Sequence, residues 1–126
     1  MKVNGERNGK GKEIDNNGEL QFECEYLKGK RNGKGKEYYK NGKLIFEGEY
    51  LNGERNGKGK EYDYDGKLIF EGESLNGNRN GKGKEYQYGK LIYEGEYLNG
   101  ERNGKGKEYD DGELIFEGEY LNGKRQ

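Results

Sequence analysis

The sequence predicts an all-β chain, a single-layer, elongated and twisted antiparallel sheet of tandem β-hairpins with about ten strands. Three observations point there. The string Arg-Asn-Gly recurs at Arg7, Arg31, Arg55, Arg79 and Arg102, and a truncated copy begins at Arg125, giving intervals of 24, 24, 24, 23 and 23 residues. A fixed period of this size is the signature of a repeat architecture. Within each period, short β-branched and aromatic runs are separated by Asn-Gly or Asp-Gly strings, which are strong hairpin signals because both residues tolerate positive φ.

In order along the chain, the units run over residues 5–28, 29–52, 53–76, 77–99 and 100–122, with a partial unit at 123–126, all in one domain over 1–126. The first copy is the most diverged, with Ile14 in a tyrosine slot and Cys24 in a glycine slot, as expected of a terminal repeat with one unstacked face. The last two full units are one residue shorter. Comparison of Tyr86-Gln87-Tyr88-Gly89 with Tyr62-Asp63-Tyr64-Asp65-Gly66 puts the deletion in a turn, where it leaves strand register intact. The chain starts and ends mid-unit, which suits an excerpt of a longer array or an engineered one.

Each unit holds two extended segments. Leu68 to Leu75 is the first kind, and Gly57 to Tyr62 is the second, with Asn52-Gly53 and Asn56-Gly57 as turn strings on one side and Asn41-Gly42 or Asp65-Gly66 on the other. Period two puts Leu44, Phe46, Gly48 and Tyr50 on one face, and Ile45, Glu47, Glu49 and Leu51 on the opposite one. On the second strand Gly57, Gly59 and Glu61 oppose Lys58, Lys60 and Tyr62. The pairing that sets bare glycines beneath aromatic rings also sets Lys58 and Lys60 among the glutamates of adjacent strands.

Composition bounds the function. Of 126 residues, 27% are hydrophobic and 39% charged, with 25 glycines and no proline. A thick layered core is out of reach, but a thin sheet whose hairpins cover one another needs less apolar volume. The net charge of -1 lets the charges pair and argues against a nucleic-acid partner, which needs a positive excess. No apolar run is long enough for a membrane-spanning helix, and the first residues lack a signal-peptide core. One cysteine cannot form an internal disulfide, so a cytoplasmic setting is the default.

Catalytic chemistry finds little footing. The chain has no histidine or threonine, one serine (Ser74) and one cysteine (Cys24), and no nucleophile is paired with a base. Gly53 to Lys58 is too short between glycines for a phosphate loop and opens a strand. Asp63 and Asp65 lack the acidic partner a calcium loop needs, since Gly72 stands there. Paired glutamates such as Glu47 and Glu49 recur in every unit, as structural features do. The chain is therefore expected to be no enzyme, with no cofactor, no metal and no small-molecule substrate.

The run from Phe46 to Gly59 (Phe-Glu-Gly-Glu-Tyr-Leu-Asn-Gly-Glu-Arg-Asn-Gly-Lys-Gly) resembles the core of the MORN repeat, and Tyr62 to Gly66 resembles its Tyr-x-x-x-Asp-Gly close. The likeness covers nearly the whole chain. It departs at Asn8, Asn32, Asn56, Asn80 and Asn103, where the family usually has histidine. It departs also at the second aromatic, which is Tyr50, Tyr97 or Tyr120 instead of tryptophan and becomes Ser74 once. The resemblance implies a groove-like sheet and a role in protein–protein interaction, dimerisation or attachment near membranes, including binding to anionic phospholipids. In some family members the repeats precede a catalytic domain, whereas here they take up the chain.

Two sets of residues are candidates for binding. The aromatic face, Phe22, Tyr26, Phe46, Tyr50, Phe70, Tyr93, Tyr97, Phe116 and Tyr120, is expected to form a groove for a protein partner or a second copy, because a one-layer sheet cannot bury both faces. The alternative for these rings is to pack between repeats. The arginines Arg7, Arg31, Arg55, Arg79 and Arg102 are expected to line one edge, at about 10 Å intervals, as a stripe for anionic phospholipids. Their alternative is a solvated turn. On these expectations the protein is a cytoplasmic binding scaffold, with association to membrane or cytoskeleton as a further expectation.

Overall fold

The computed structural model describes residues 8–126 in full and, before them, the backbone of two short strands, β1 (Lys2–Val3) and β2 (Glu6–Arg7), which pair with each other. The rest of the chain is one open antiparallel sheet of eleven strands in sequence order. These are β3 (Gly9–Ile14), β4 (Leu20–Leu27), β5 (Lys30–Tyr38), β6 (Leu44–Leu51), β7 (Glu54–Tyr62) and β8 (Leu68–Leu75), followed by β9 (Asn78–Gln87), β10 (Lys90–Leu98), β11 (Glu101–Asp110), β12 (Glu113–Leu121) and β13 (Lys124–Arg125). There is no helix among the described residues. Ten strand-to-strand steps of about 4.8 Å make the sheet roughly 48 Å long.

Turn chemistry fixes the hairpins. On one side, two-residue turns at Lys28-Gly29, Asn52-Gly53, Asn76-Gly77, Asn99-Gly100 and Asn122-Gly123 have positive φ at both positions, the type I′ geometry that matches strand twist. Four of these turns also tie back to the preceding unit through the backbone. The amides of Gly53, Gly77, Gly100 and Gly123 donate to the carbonyls of Arg31, Arg55, Arg79 and Arg102, all at 2.9 Å. On the other side, Asp63 closes a five-residue turn by receiving Gly66 N–H at 2.9 Å and donating to Lys67 O at 2.8 Å. The two shorter units replace this turn with tight ones at Tyr88-Gly89 and Asp111-Gly112. Register survives the deletion, because Tyr93 pairs with Glu85 as Phe70 pairs with Glu61.

Two bulges per unit break strict alternation. Between β6 and β7, Gly48 pairs with Gly59 and Tyr50 with Arg55, so Asn56, Gly57 and Lys58 face the single residue Glu49. Asn56-Gly57, expected as a turn, is this bulge. Gly57 sits at φ 100°, and the Glu49 carboxylate closes the gap by accepting Lys58 N–H at 2.7 Å. Strand β7 therefore begins at Glu54, and Arg55 is a strand residue. The second bulge inserts Ile45 opposite the step from Glu37 to Tyr38. Ile45, placed by period two with the glutamates, packs against the aromatic cluster instead.

Candidate binding face

The sheet has one closed face and one open face. On the closed face the glycines carry the packing. A Cβ on Gly48 would sit 2.8 Å from Phe46 Cζ, and one on Gly83 would sit 2.6 Å from Phe70 Cε1 and 3.0 Å from Tyr97 Cε1. The rings lie directly on backbone that only glycine leaves bare. Neighbouring rings meet edge to face, as in Phe70 with Tyr97 at 5.2 Å and Tyr93 with Tyr120 at 5.3 Å.

Arginines form the lid over these rings. The guanidinium of Arg55 stands 4.2 Å from the Phe46 centroid, that of Arg79 4.2 Å from Phe70, and that of Arg102 4.3 Å from Tyr93. Each is held by a glutamate of the preceding unit, at 2.8 Å for Arg55 with Glu37, 3.0 Å for Arg79 with Glu61 and 2.9 Å for Arg102 with Glu85. Tyrosine hydroxyls complete the network, with Tyr50 donating to Glu37 and Tyr97 to Glu85, both at 2.5 Å. Burial alone would raise Glu85, but hydrogen bonds from Arg102 and Tyr97 hold it below the usual carboxylate range. The Arg125 hydrogen bonds hold Glu108 at about 2. Burial, followed by the hydrogen bonds to Glu37 and Glu85, pushes the Tyr50 and Tyr97 phenols well above the usual range.

The expected site residues thus occupy unexpected places. Tyr26, Phe46, Tyr50, Phe70, Tyr93, Tyr97 and Tyr120 are buried at 0–5% exposure and form the protein's own core. Only Phe22 and Phe116, toward the two ends, are half-buried. The rings pack between repeats and leave no open aromatic groove among themselves. Arg31, Arg55, Arg79 and Arg102 do not line an edge. They lie within strands on the aromatic face, with side chains 22–25% exposed and paired to glutamate. The side chain of Arg7 lies outside the described residues.

The asparagines that replace the usual histidine have a visible role. Three of the five, Asn8, Asn80 and Asn103, accept the turn amides of Lys28, Asn99 and Asn122 at 3.0, 3.3 and 3.4 Å, each a tie to the next hairpin tip.

The opposite face is open. A groove of about 1840 Å³ crosses β3 to β9, lined by Lys-Gly-Lys and Glu-Gly-Glu triplets such as Lys58-Gly59-Lys60 and Glu47-Gly48-Glu49. Its floor is the backbone of the glycine row, whose missing side chains would point to the aromatic face. Its walls are two ladders. In the first, Lys60 pairs in register with Glu47 and Glu71, and Lys84 with Glu71 and Glu94. Four ion pairs on this ladder measure 3.7–3.9 Å between partners that are 41–61% exposed, too loose and too wet to contribute much. Tyr38, Tyr62 and Tyr109 close this side by donating to Glu23, Glu47 and Glu94 at 3.2, 3.2 and 3.3 Å. In the second ladder the glutamates are bound to backbone. Glu25, Glu49 and Glu73 accept the amides of Lys34, Lys58 and Lys82 at 2.8, 2.7 and 2.8 Å.

Beyond the second ladder stands a row the sequence reading passed over. Leu27, Leu51, Leu75, Leu98 and Leu121 occupy the same place in the five units, one residue past the buried ring position, and all are 49–53% exposed. Alternation from Tyr50 puts Leu51 on the groove face beside Glu49. The signal that could have found the row is its repetition, an apolar residue kept identical in five copies at the lip of a polar turn. Among the described residues, no group of three or more His, Cys, Asp or Glu side chains could hold a metal ion.

A sequence-ordered hairpin sheet, with a repeated ring core on one face and a repeated open groove on the other, defines the class of tandem repeat proteins in which each unit contacts only its neighbours. Within that class, the model of the MORN repeat variant matches residues 7–28 and 31–52, and that of the MORN repeat matches residues 46–67, 70–88, 93–113 and 116–126. The chain belongs to the MORN repeat family. No curated protein matches it at a significant level.

Proposed function

We propose that this chain is a binding scaffold whose working surface is the Lys/Glu groove face and whose ligand is another protein. The observation that supports it most is the contrast in burial. The aromatic face is consumed by its own packing, whereas the opposite face keeps a groove of about 1840 Å³ bordered by a row of half-exposed leucines. Solvent-exposed apolar residues in register beside a concave surface are a usual mark of a protein interaction site. Catalysis has no support in the residues, since the groove repeats one Lys/Glu pattern from unit to unit, and its one departure, Cys24, is buried in the aromatic cluster of the closed face. A cytoplasmic setting, with the scaffold linking partners near membrane or cytoskeleton, fits this role.

Binding to anionic phospholipid through the arginines is less well supported, because Arg31, Arg55, Arg79 and Arg102 would have to leave their glutamates and rings. A comparison of wild-type protein with a groove variant, Lys36→Glu/Lys60→Glu/Lys84→Glu, tests the proposal. Proteins captured from cell extract by the wild type and lost with the variant support it. Identical capture by both would remove the groove from the function. Light scattering on the isolated chain reads self-association directly, and sedimentation with anionic vesicles reads the lipid alternative.

A further inference from the structure

The packing of the closed face is interrupted at one place, the third unit, where Ser74 stands in the tyrosine position. In the other four full units the tyrosine hydroxyl ends on a glutamate, Tyr26 on Glu13, Tyr50 on Glu37, Tyr97 on Glu85 and Tyr120 on Glu108. The ring between backbone and hydroxyl fits between two others, as Tyr97 does between Phe70 at 5.2 Å and Tyr93 at 5.5 Å. Ser74 has the same register, pairing with Gly57 and Arg79 as Tyr50 pairs with Gly33 and Arg55. Its side chain is shorter by a phenol ring.

Three observations point to an open slot of that size between Phe46 and Phe70. Gly59, on its floor, is half-buried, whereas Gly35 and Gly83 are buried. A Cβ on Gly35 or Gly83 would meet the ring of Tyr50 at 2.9 Å or of Tyr97 at 3.0 Å. One on Gly59 would meet only Phe46 and then, at 3.1 Å, the carbonyl of Glu47. At the far end Glu61 receives Arg79 alone among the described residues, at 3.2 and 3.0 Å. Glu37 receives both Arg55 and the Tyr50 hydroxyl.

The two ends and the walls select a ligand. Ring edges of Phe46 and Phe70 and bare glycine backbone favour a flat aromatic group. A guanidinium faces the following unit's ring elsewhere, Arg79 at 6.0 Å from Tyr97 and Arg102 at 5.9 Å from Tyr120. Arg55 holds that place over the slot, and a cation over a ring is favourable. The Glu61 carboxylate asks for a hydroxyl donor. The Ser74 end sets the length. A ring not bonded to the chain stops about 3.5–4.0 Å from the Ser74 Cβ, roughly 2 Å further along the slot than a tyrosine ring would lie. The Glu61 carboxylate, held by Arg79 alone, takes up that displacement, and no room remains for a group opposite the hydroxyl.

We infer that the slot at Ser74 binds a small free phenol with no substituent para to its hydroxyl. A tyrosine side chain, which is attached at the para carbon, is excluded. The site lies on the face opposite the groove and does not depend on it.

The test is titration of the full chain with phenol, read by amide NMR and by thermal melting. Phenol should saturate with a Kd of about 1 mM and raise the melting temperature. It should shift the amides of Gly59, Glu61 and Ser74 while leaving their counterparts Gly83, Glu85 and Tyr97 in place. Benzene, without the hydroxyl, and p-cresol, with a para methyl, should each bind roughly tenfold more weakly, and N-acetyltyrosinamide should not bind. Ser74→Tyr supplies the ring covalently and should abolish the phenol response. Glu61→Gln should remove most of the preference for phenol over benzene, with an unchanged circular dichroism spectrum. Failure of phenol to saturate, or a phenol response kept in Ser74→Tyr, would overturn the inference. So would a Ser74→Tyr chain less stable than the wild type, since the slot would then be closed. Binding of p-cresol or N-acetyltyrosinamide as tight as that of phenol would overturn it in favour of a partner's tyrosine.

Discussion

The same strands build two faces that differ in kind, and the difference lies in what stands between the charges and water. On the aromatic face a glutamate such as Glu37 meets an arginine over a phenyl ring and a tyrosine hydroxyl at 2.5 Å. On the groove face a glutamate such as Glu71 meets Lys60 at 3.8 Å across open solvent. Identical charge types thus serve as a buried lid on one side and as an exposed surface on the other. Planar guanidinium stacks on a ring and forks onto a carboxylate, whereas a flexible ammonium stays hydrated. The sheet needs no second layer because arginine, tyrosine and glutamate together supply one.

The largest effect should follow from removing a ring. Phe46→Ala takes away a side chain 1% exposed, together with the surface on which Arg55 stacks, and should cost about 3–5 kcal/mol of unfolding free energy. Lys60→Ala on the other face should stay within about 0.5 kcal/mol. Chemical denaturation of both variants measures the contrast, and equal losses would mean that the two faces share the packing.

Much of this was readable beforehand. The period, the hairpin order, the glycines beneath rings and the Lys/Glu neighbours all follow from fixed spacing and alternation, which are local properties of a strand. What was not readable depends on the bulges. Asn56-Gly57 has the composition of a turn, and only three-dimensional pairing reveals it as a bulge that turns Arg55 onto Phe46. Turn composition alone predicts the arginines at an edge, which leaves the rings without a cover and makes the aromatic face the expected groove. The leucine row was missed for a related reason. One exposed leucine per unit is unremarkable until the sheet puts five of them in line.

Next in size is the close approach of rings to backbone. Gly83→Ala would place a Cβ 2.6 Å from Phe70 and 3.0 Å from Tyr97, and overpacking of this sort should cost about 1–3 kcal/mol. Gly100→Ala offers the contrast, since nothing lies within 4 Å of a Cβ there and only its φ of 89° is strained. If both substitutions cost the same, backbone conformation and not ring packing decides the glycine row.

Acid and alkali should also act through the closed face. Glu85 and Glu108 lie below their ordinary values when folded, so their contribution is complete above about pH 4.5 and is lost as pH falls toward 2. Tyr50 and Tyr97 lie above theirs, so their contribution is complete below about pH 10 and is lost as pH rises past it. The melting temperature should be flat between about pH 5 and 9 and fall on both sides. Glu85→Gln should shrink the acid limb. An acid limb unchanged in that variant would place the titrating groups elsewhere, on the open ladders for instance.

The smallest effect is a gain, and it tests whether the closed face is one structure or two. Ring packing passes from unit to unit, as when Phe70 meets Tyr97 and Tyr93 meets Tyr120. By the same spacing Phe46 should meet residue 74, which is serine. The ring column stops there, leaving one cluster of Cys24, Tyr26, Phe46 and Tyr50 and another of Phe70, Tyr93, Tyr97 and Tyr120. Gly59 registers the gap, being half-buried where Gly35, Gly83 and Gly106 are buried. Ser74→Tyr restores an edge-to-face neighbour for Phe46 and puts a hydroxyl where it can donate to Glu61, as Tyr50 does to Glu37. An added aromatic pair is worth about 0.5–1.5 kcal/mol, so the variant should unfold at higher denaturant, with a steeper single transition if the two clusters now melt together. Loss of stability instead would mean that the site has closed around the serine, and that the break in the column is a packed boundary between two halves of the sheet.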